Sequence, residues 1–411
     1  MSQQHNQNKR KQGLFSMRFF SVPLRLPGLI AGLIVCAMAL PYALAPVYQF
    51  AEPTPFSGPY LINPYQLMDS TAWRKYNFQV QSKAWLGLTN GRKNSNMLID
   101  SMYRLLQFDY VATSDYQRIN LHRSNEPKYI PTYEHGYGFR KTHQVCIGAS
   151  KVLWTDYPFF QRLSHKQHIL NLLHDECALV ALAHPHLLGG YSLEDMKYLS
   201  NYQLMEVLNN LRISVDFWDS ALSNGHKVYL LSNDDAHDVT NSNQVGRRFT
   251  MINAPNTDRE EIVASLKNGL AYGFDFYRVD DEPWQDKIER SKKIPWLKKA
   301  SLNGNRYTVV LSKPAHKIRF IGQHGRLLHE VEHWFEASYQ ISETDTYVRV
   351  EVLFYDSSVM YLNPVIRSET PEYKDKSLAS VDGLSTFVLR VSSLLIFITL
   401  LLAGFRYNKH S

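Results

Sequence analysis

The residues most able to do chemistry lie between residues 178 and 239. ALVALAHPHLLGG sets His184 and His186 after an apolar run, LMEVLNN follows, and KVYLLSNDDAHDV ends a third run with Asp234, Asp235 and His237. Apolar runs of this length read as buried parallel strands, and α/β proteins place their chemistry at the ends of such strands. Imidazole nitrogen and carboxylate oxygen together suit Zn, Mn or Fe. A bound ion of this kind lowers the pKa of water and polarises a phosphoryl oxygen.

The elements that must position these groups alternate along the chain. NFQVQSKAWLGLT reads as strand, SNMLIDSMYRLL as an amphipathic helix capped by Asn94 or Ser95, and FDYVATSD as strand. KYIPTYEHGY and HQVCIGAS are strands; HKQHILNLLHDEC is a helix before the strand ALVALAH. SLEDMKYLS, capped by Ser192, precedes the strand YQLMEVLN, and DFWDSALSNG, closed by Gly225, precedes KVYLLSND. REEIVASLKNG is the last helix before LAYGF. Repeated strand and helix predict a parallel sheet closed into a barrel over residues 79–286, after an irregular lead-in at 51–78. From 296 to 368 the pattern has period two with Gly, Asn and Asp turns, which predicts a small antiparallel β-sandwich-like module.

Two apolar segments stand outside this soluble region. Residues 28–47 (GLIAGLIVCAMALPYALAPV) carry no charge and are long enough to cross a bilayer. Lys9, Arg10, Lys11, Arg18 and Arg25 precede them. A cleavable signal peptide ending near Ala43–Ala45 is the competing reading. VSSLLIFITLLLAGF, extended by residues 384–389 across Arg390, predicts a second span over 384–405, with a buried helix as the alternative. Basic flanks on both outer sides place residues 1–27 and 406–411 in the cytoplasm and the central region on the extracytoplasmic side. The bilayer is therefore an expected partner. The net charge of +7 owes part of its excess to these flanks, and no base-reading motif accompanies it. Nucleic acid is thus not an expected partner. Three cysteines occur, of which Cys36 lies in the first apolar segment, and Cys146 and Cys177 are a weak basis for a bridge.

The order and spacing of the polar residues resemble the PHP (polymerase and histidinol phosphatase) superfamily of metal-dependent phosphoesterases, over roughly residues 83–276. Members are distorted (β/α)7 TIM-like barrels with up to three metals at the strand ends. Their motifs run His-x-His-Thr, Thr-Asp-His, a Glu and then a His, His-Pro, and Asp-x-His. The resemblance implies Glu134 as the bridging carboxylate, His143 as the histidine after it, His184 before Pro185, and Asp235 and His237 as the closing pair. The early motifs depart from the pattern. With Thr89 as anchor, the first two histidines fall on Leu86 and Leu88, and VATSDYQRI keeps Asp115 but has Tyr116 in place of the imidazole. What survives is one complete ligand set, Glu134, His143 and His184, so the resemblance implies one divalent ion rather than two or three.

Two classes of function follow. In the first, an anchored, exported PHP-like enzyme hydrolyses a phosphoester, with Asp115, Asp235 or His237 handling protons and Arg247 and Arg248 reaching a substrate phosphate. In the second, the same region binds a phosphorylated ligand or an envelope protein without turnover. A structural role in an envelope assembly rests on the two spans alone. Asp216 and Asp219 read as a solvated helix face, His135 as a solvent or helix-face histidine, and His165 and His168 as lying on a polar helix face.

Overall fold

The computed structural model describes residues 25–410 apart from Asn90, Lys376 and Ser377. The basic residues Lys9, Arg10, Lys11 and Arg18 lie outside it. The expected closed barrel is not formed among the described residues. The strands form a nine-stranded sheet, a five-stranded sheet, a three-stranded sheet and a two-stranded ribbon.

The five-stranded sheet carries the later motifs. It runs Thr132–His135, Gln144–Ile147, Leu179–Leu182, Leu204–Asn209 and Tyr229–Asn233, in chain order. Its last three strands are parallel, as their uninterrupted apolar runs predict. The first three pair antiparallel instead. The link between Thr132–His135 and Gln144–Ile147 is too short for a crossover helix, so the two form a hairpin. Ile169, Leu170 and Leu173 of helix Leu163–Glu176 and Trp218, Ala221 and Leu222 of helix Val215–Ser223 belong to the core that covers this sheet.

Strands Trp73–Asn77 and Tyr110–Val111, parallel to each other, belong to the nine-stranded sheet. Beyond them the ladder thins to two single parallel bridges, Val80 with Ala236 and Tyr116 with Glu134. These bridges bring the early strands beside the five-stranded sheet without closing a barrel. Helix Asn96–Leu105 follows, and Ser95 caps it by accepting from the Leu98 amide at 3.2 Å.

The β-rich C-terminal part does not fold apart from the rest. Its strands Lys317–Gly322, Tyr347–Leu353 and Val359–Ser368 continue through Ala271–Asp275 and Arg248–Asn253 to Trp73–Asn77 in one sheet. The three-stranded sheet, Leu297–Asn303, Arg306–Leu311 and Glu336–Gln340, supplies the other side of a shared core. There Tyr307 meets Phe320 edge-on at 6.0 Å. A buried ion pair joins this part to helix Val215–Ser223: Arg349 donates Nε and Nη2 to the two Asp219 oxygens at 2.7 Å each. Asp219 is therefore a buried partner of Arg349 and not part of a solvated face.

At the base, Tyr48–Phe50 pairs antiparallel with Ala379–Val381. Helices Arg25–Leu44 and Gly383–His410 leave this ribbon side by side, and Arg390 Nη2 donates to the Leu44 carbonyl at 3.0 Å. Among the described residues only Gly383–Ala403 is long and apolar enough to cross a membrane; Ile30–Leu44 is a shorter apolar stretch. Of the two expected spans, the C-terminal one alone meets that length among the described residues. Cys36, Cys146 and Cys177 are all free thiols.

Candidate metal centre

Glu134 sits in the strand Thr132–His135, where every side chain is buried. His143 precedes the neighbouring strand in the hairpin and His184 follows Leu179–Leu182. One ligand atom from each lies within 4.8 Å of the others. His143 Nδ1 is 2.6 Å from Glu134 Oε1, and His184 Nε2 is 3.3 Å from the same oxygen. Two ligands of one Zn-like ion at tetrahedral angles stand about 3.4 Å apart, so this donor set fits an ion with small adjustments. Ring centroids of His143 and His184 are 5.3 Å apart.

The electrostatics follow from burial. Burial alone would raise the Glu134 carboxyl, but His143 and His184 together hold it well below the usual carboxylate range. Burial would depress His184, yet Glu134, Asp235 and Glu206 push it up to about 9. A cation at this point is thus what the surrounding carboxylates favour. His184 at φ 29° and Asp235 at φ 50° both hold left-handed backbone, a strain that clusters at ligand sites.

Asp235 and His237 stand beside the triad. Asp235 Oδ2 accepts from Asn209 at 3.2 Å, while its Oδ1 is buried without a hydrogen-bond partner. His237 Nε2, 3.9 Å from that oxygen, is also without a partner. Burial, with Glu134 close by, raises the Asp235 pKa. Orphaned buried polar atoms cost free energy in proportion to their desolvation, and here they face one another across a site.

Glu206 belongs to the same cluster, and the sequence reading missed it. It accepts from the His184 backbone amide at 2.9 Å, from Asn209 at 2.8 Å and from Asn233 at 2.9 Å. Burial pushes its pKa up to about 8. The signal was a glutamate in the middle of an apolar strand, LMEVLN, where a carboxylate is costly unless it has a task.

The early strands supply amides. Gln79 and Gln81 are both fully buried, with Val80 between them. Gln81 Nε2 donates to Glu134 Oε2 at 2.6 Å, and Gln79, with its amide turned so that the nitrogen faces the carboxylate, donates to both Glu206 oxygens. This corrects the placement of Leu86 and Leu88: those side chains are 99% and 88% exposed and line nothing in the site. The pair facing the carboxylates is Gln-x-Gln, followed by Ser82. Ser82 donates its amide and hydroxyl to Asp115, each at 2.8 Å, and Asn120 adds a third bond at 3.1 Å. Asp115 thus has both oxygens occupied and pins a loop.

Tyr116 lies edge-on to His143 at 5.4 Å, and burial together with Glu134 raises its phenol pKa far above its ordinary value. Asp234 receives the amides of Gly246, Arg247 and Arg248 and the Tyr103 hydroxyl, so it clamps the loop after the site. Arg248 is buried and its guanidinium is held by Asp275 and the Asn209 carbonyl. Arg247 is partly exposed and its Nε has no hydrogen-bond partner. His135, read as a surface residue, is buried between Gln144 and the Thr155 carbonyl.

No family model matches the chain, and no curated protein matches it either. Among solved structures it is similar to a two-domain protein from Bacteroides vulgatus containing a predicted PHP-like metal-dependent phosphoesterase. The identity is 13% and the TM-score 0.40, covering 81% of this chain and 99% of that one.

Proposed function

We propose that this chain is a membrane-tethered, PHP-like protein that holds one divalent ion and uses it to hydrolyse a phosphoester. The observation that carries the reading is the convergence of Glu134, His143 and His184 at strand ends beside two orphaned buried atoms. Those three residues would hold the ion. When bound, an ion of this type acidifies water and polarises a phosphoryl oxygen. Asp235 Oδ1 takes the proton of the attacking water, and His237 Nε2 returns one to the leaving oxygen. Asp115 positions the Ser82 loop instead of moving protons. Arg247, partly exposed and ion-paired with Asp275 at 3.8 Å, is the candidate for the phosphate, while Arg248 is held by Asp275 and the Asn209 carbonyl. The apolar helix Gly383–Ala403 supplies the tether, with the central region on the extracytoplasmic side.

A second reading, ligand binding without turnover, is favoured by Gln79 and Gln81. Their amides occupy carboxylate lone pairs that a second ion would need.

Metal analysis of the full chain, purified without chelator, separates the two. One equivalent, lost in His184→Ala, with turnover of a simple phosphomonoester supports hydrolysis. One equivalent with no turnover of phosphomonoesters or diesters supports binding, and less than half an equivalent rejects both.

A further inference from the structure

A series of aromatic residues, linked by ring contacts, by hydrogen bonds to backbone carbonyls and by the chain itself, runs from the N-terminal apolar helix to the candidate metal ligands. Tyr42, near the end of helix Arg25–Leu44, accepts from the Phe159 and Phe160 amides at 2.8 and 3.1 Å and packs its ring 4.7 Å from Phe160. Phe159 meets Phe139 at 6.2 Å. Two residues before Phe139, Tyr137 donates its hydroxyl to the Trp154 carbonyl at 3.0 Å, and Trp154 meets Trp85 edge-on at 6.2 Å. Trp85 Nε1 donates to the Tyr116 carbonyl at 2.7 Å, and the Tyr116 ring lies against His143.

Tyr42 packs on the core and Tyr116 is half-buried, but the rings between them are exposed. Phe139 is 73% exposed and Trp154 59%, and Leu86 and Leu88 project beside Trp85 almost free of contact. Exposed lysines and arginines alternate with them at Lys83, Arg92, Arg140 and Arg162. Contiguous exposed apolar surface marks an interaction site. Aromatic rings mixed with basic side chains fit the headgroup region of an anionic bilayer. A soluble protein partner would not require that the patch continue onto an apolar helix leaving beside Gly383–Ala403, whereas a bilayer does.

We propose that this rim rests on the membrane and that the site takes the phosphate headgroup of a lipid still held in the bilayer. The proposal rests on the one-ion reading above. The exposed leucines of residues 85–88 enter the interface, the basic side chains hold anionic headgroups, and a phosphomonoester headgroup reaches Glu134, His143 and His184 past Tyr116. Hydrolysis then breaks the phosphorus–oxygen bond to the lipid: water supplies hydroxyl to phosphorus and a proton to the lipid alcohol, with no other reactant.

The full chain, loaded with Mn or Zn, is placed in phosphatidylcholine nanodiscs containing a minor fraction of phosphatidic acid. Phosphatidylcholine brominated on its acyl chains should quench the part of the emission that is lost in Trp85→Phe/Trp154→Phe. Phosphate release from phosphatidic acid should exceed release from soluble glycerol 3-phosphate by at least about tenfold, and Leu86→Asp/Leu88→Asp should remove that advantage. Release from soluble p-nitrophenyl phosphate should be unchanged in the same variant. If neither ester is hydrolysed, hydrolysis fails, but phosphatidic acid should still slow removal of the bound ion by a chelator while glycerol 3-phosphate does not. Unquenched indoles, or equal effects of the two esters, overturn the lipid assignment. A chain that binds no ion overturns it together with the reading beneath it, and metal content tells that failure from the others.

Discussion

Two buried ionic clusters in this molecule are built to opposite plans. At Asp219 the carboxylate receives Arg349 through both oxygens and Tyr347 at 2.8 Å, and Arg349 also donates to Glu351 at 2.5 Å. The guanidinium lies 5.3 Å from the Trp218 ring. Nothing in that cluster asks for a further partner. At Glu134 the cluster is less complete: the carboxylates of Glu134, Glu206 and Asp235 meet three imidazoles, His143, His184 and His237, and several neutral amides. Asp235 Oδ1, His184 Nδ1 and Gln81 Oε1 are left without hydrogen bonds. A saturated cluster fixes structure, whereas an unsaturated one of the same burial is shaped for something that binds. Charge, burial and distance are similar in both; completeness is what differs.

Breaking the saturated cluster should cost the most. Arg349→Ala leaves Asp219 buried and uncompensated, so unfolding free energy should fall by about 3–5 kcal/mol. Chemical denaturation measures this. Metal content per folded molecule should stay unchanged, because Arg349 is not among the ligands; a loss of metal would show that the two clusters are coupled.

The unsaturated cluster should respond in the reverse manner. His184→Ala should weaken metal binding by more than the roughly 10–100-fold typical of outer-shell changes. Stability without metal should change far less than in Arg349→Ala. Binding of an ion at 100 times its Kd stabilises the wild type by about 2.7 kcal/mol, so a chelator should lower its thermal midpoint and leave that of His184→Ala in place. Equal chelator effects on both would show that the ion sits elsewhere.

The amide half offers a sharper comparison. If Gln79 and Gln81 are what exclude a second ion, Gln79→His/Gln81→His should raise bound metal from one equivalent to two. The volumes are close and both positions face carboxylates, so little repacking is needed. A value that stays at one would mean that the early strands are closed to metal by backbone placement, not by side-chain chemistry.

What the sequence showed of the site was its late half. Glu134, His143 and His184 were legible through their order, which resembles the PHP motif series, and His184 also follows an apolar run that reads as a buried strand. The early half is not legible from Thr89 as anchor, because QVQS, seven residues earlier, has the same spacing. Glutamine carries no metal signature, so nothing drew attention to Gln79 or Gln81. Glu206 was hidden by the apolar strand around it. The parallel strands Leu179–Leu182, Leu204–Asn209 and Tyr229–Asn233 were legible from such apolar runs. The antiparallel hairpin at Thr132–Ile147 was not, because strand direction depends on connection geometry and not on apolar content. Asp219 lies on a helix whose periodicity is the same whether or not an arginine from residue 349 reaches it. Long-range pairing of that kind leaves no local trace.

A smaller contrast separates the histidines of the site from those elsewhere. Burial lowers the pKa of His135, His168 and His226, and takes His165 down to about 4, so these rings are neutral in the fold. Their unfolded value is about 6.5. As pH falls below that value the unfolded chain takes up protons that the folded chain refuses, and stability is lost progressively toward pH 4. His184 runs the other way, raised by its carboxylates. His165→Gln tests the first group, since glutamine at the third helical position can still accept from the Arg162 amide as the imidazole does at 3.2 Å. The thermal midpoint measured from pH 6.5 to 4 should fall less steeply in the variant than in the wild type, with the two curves meeting near neutrality. Parallel curves would mean that His165 is already solvated when it protonates, and that acid sensitivity comes from the carboxylates alone.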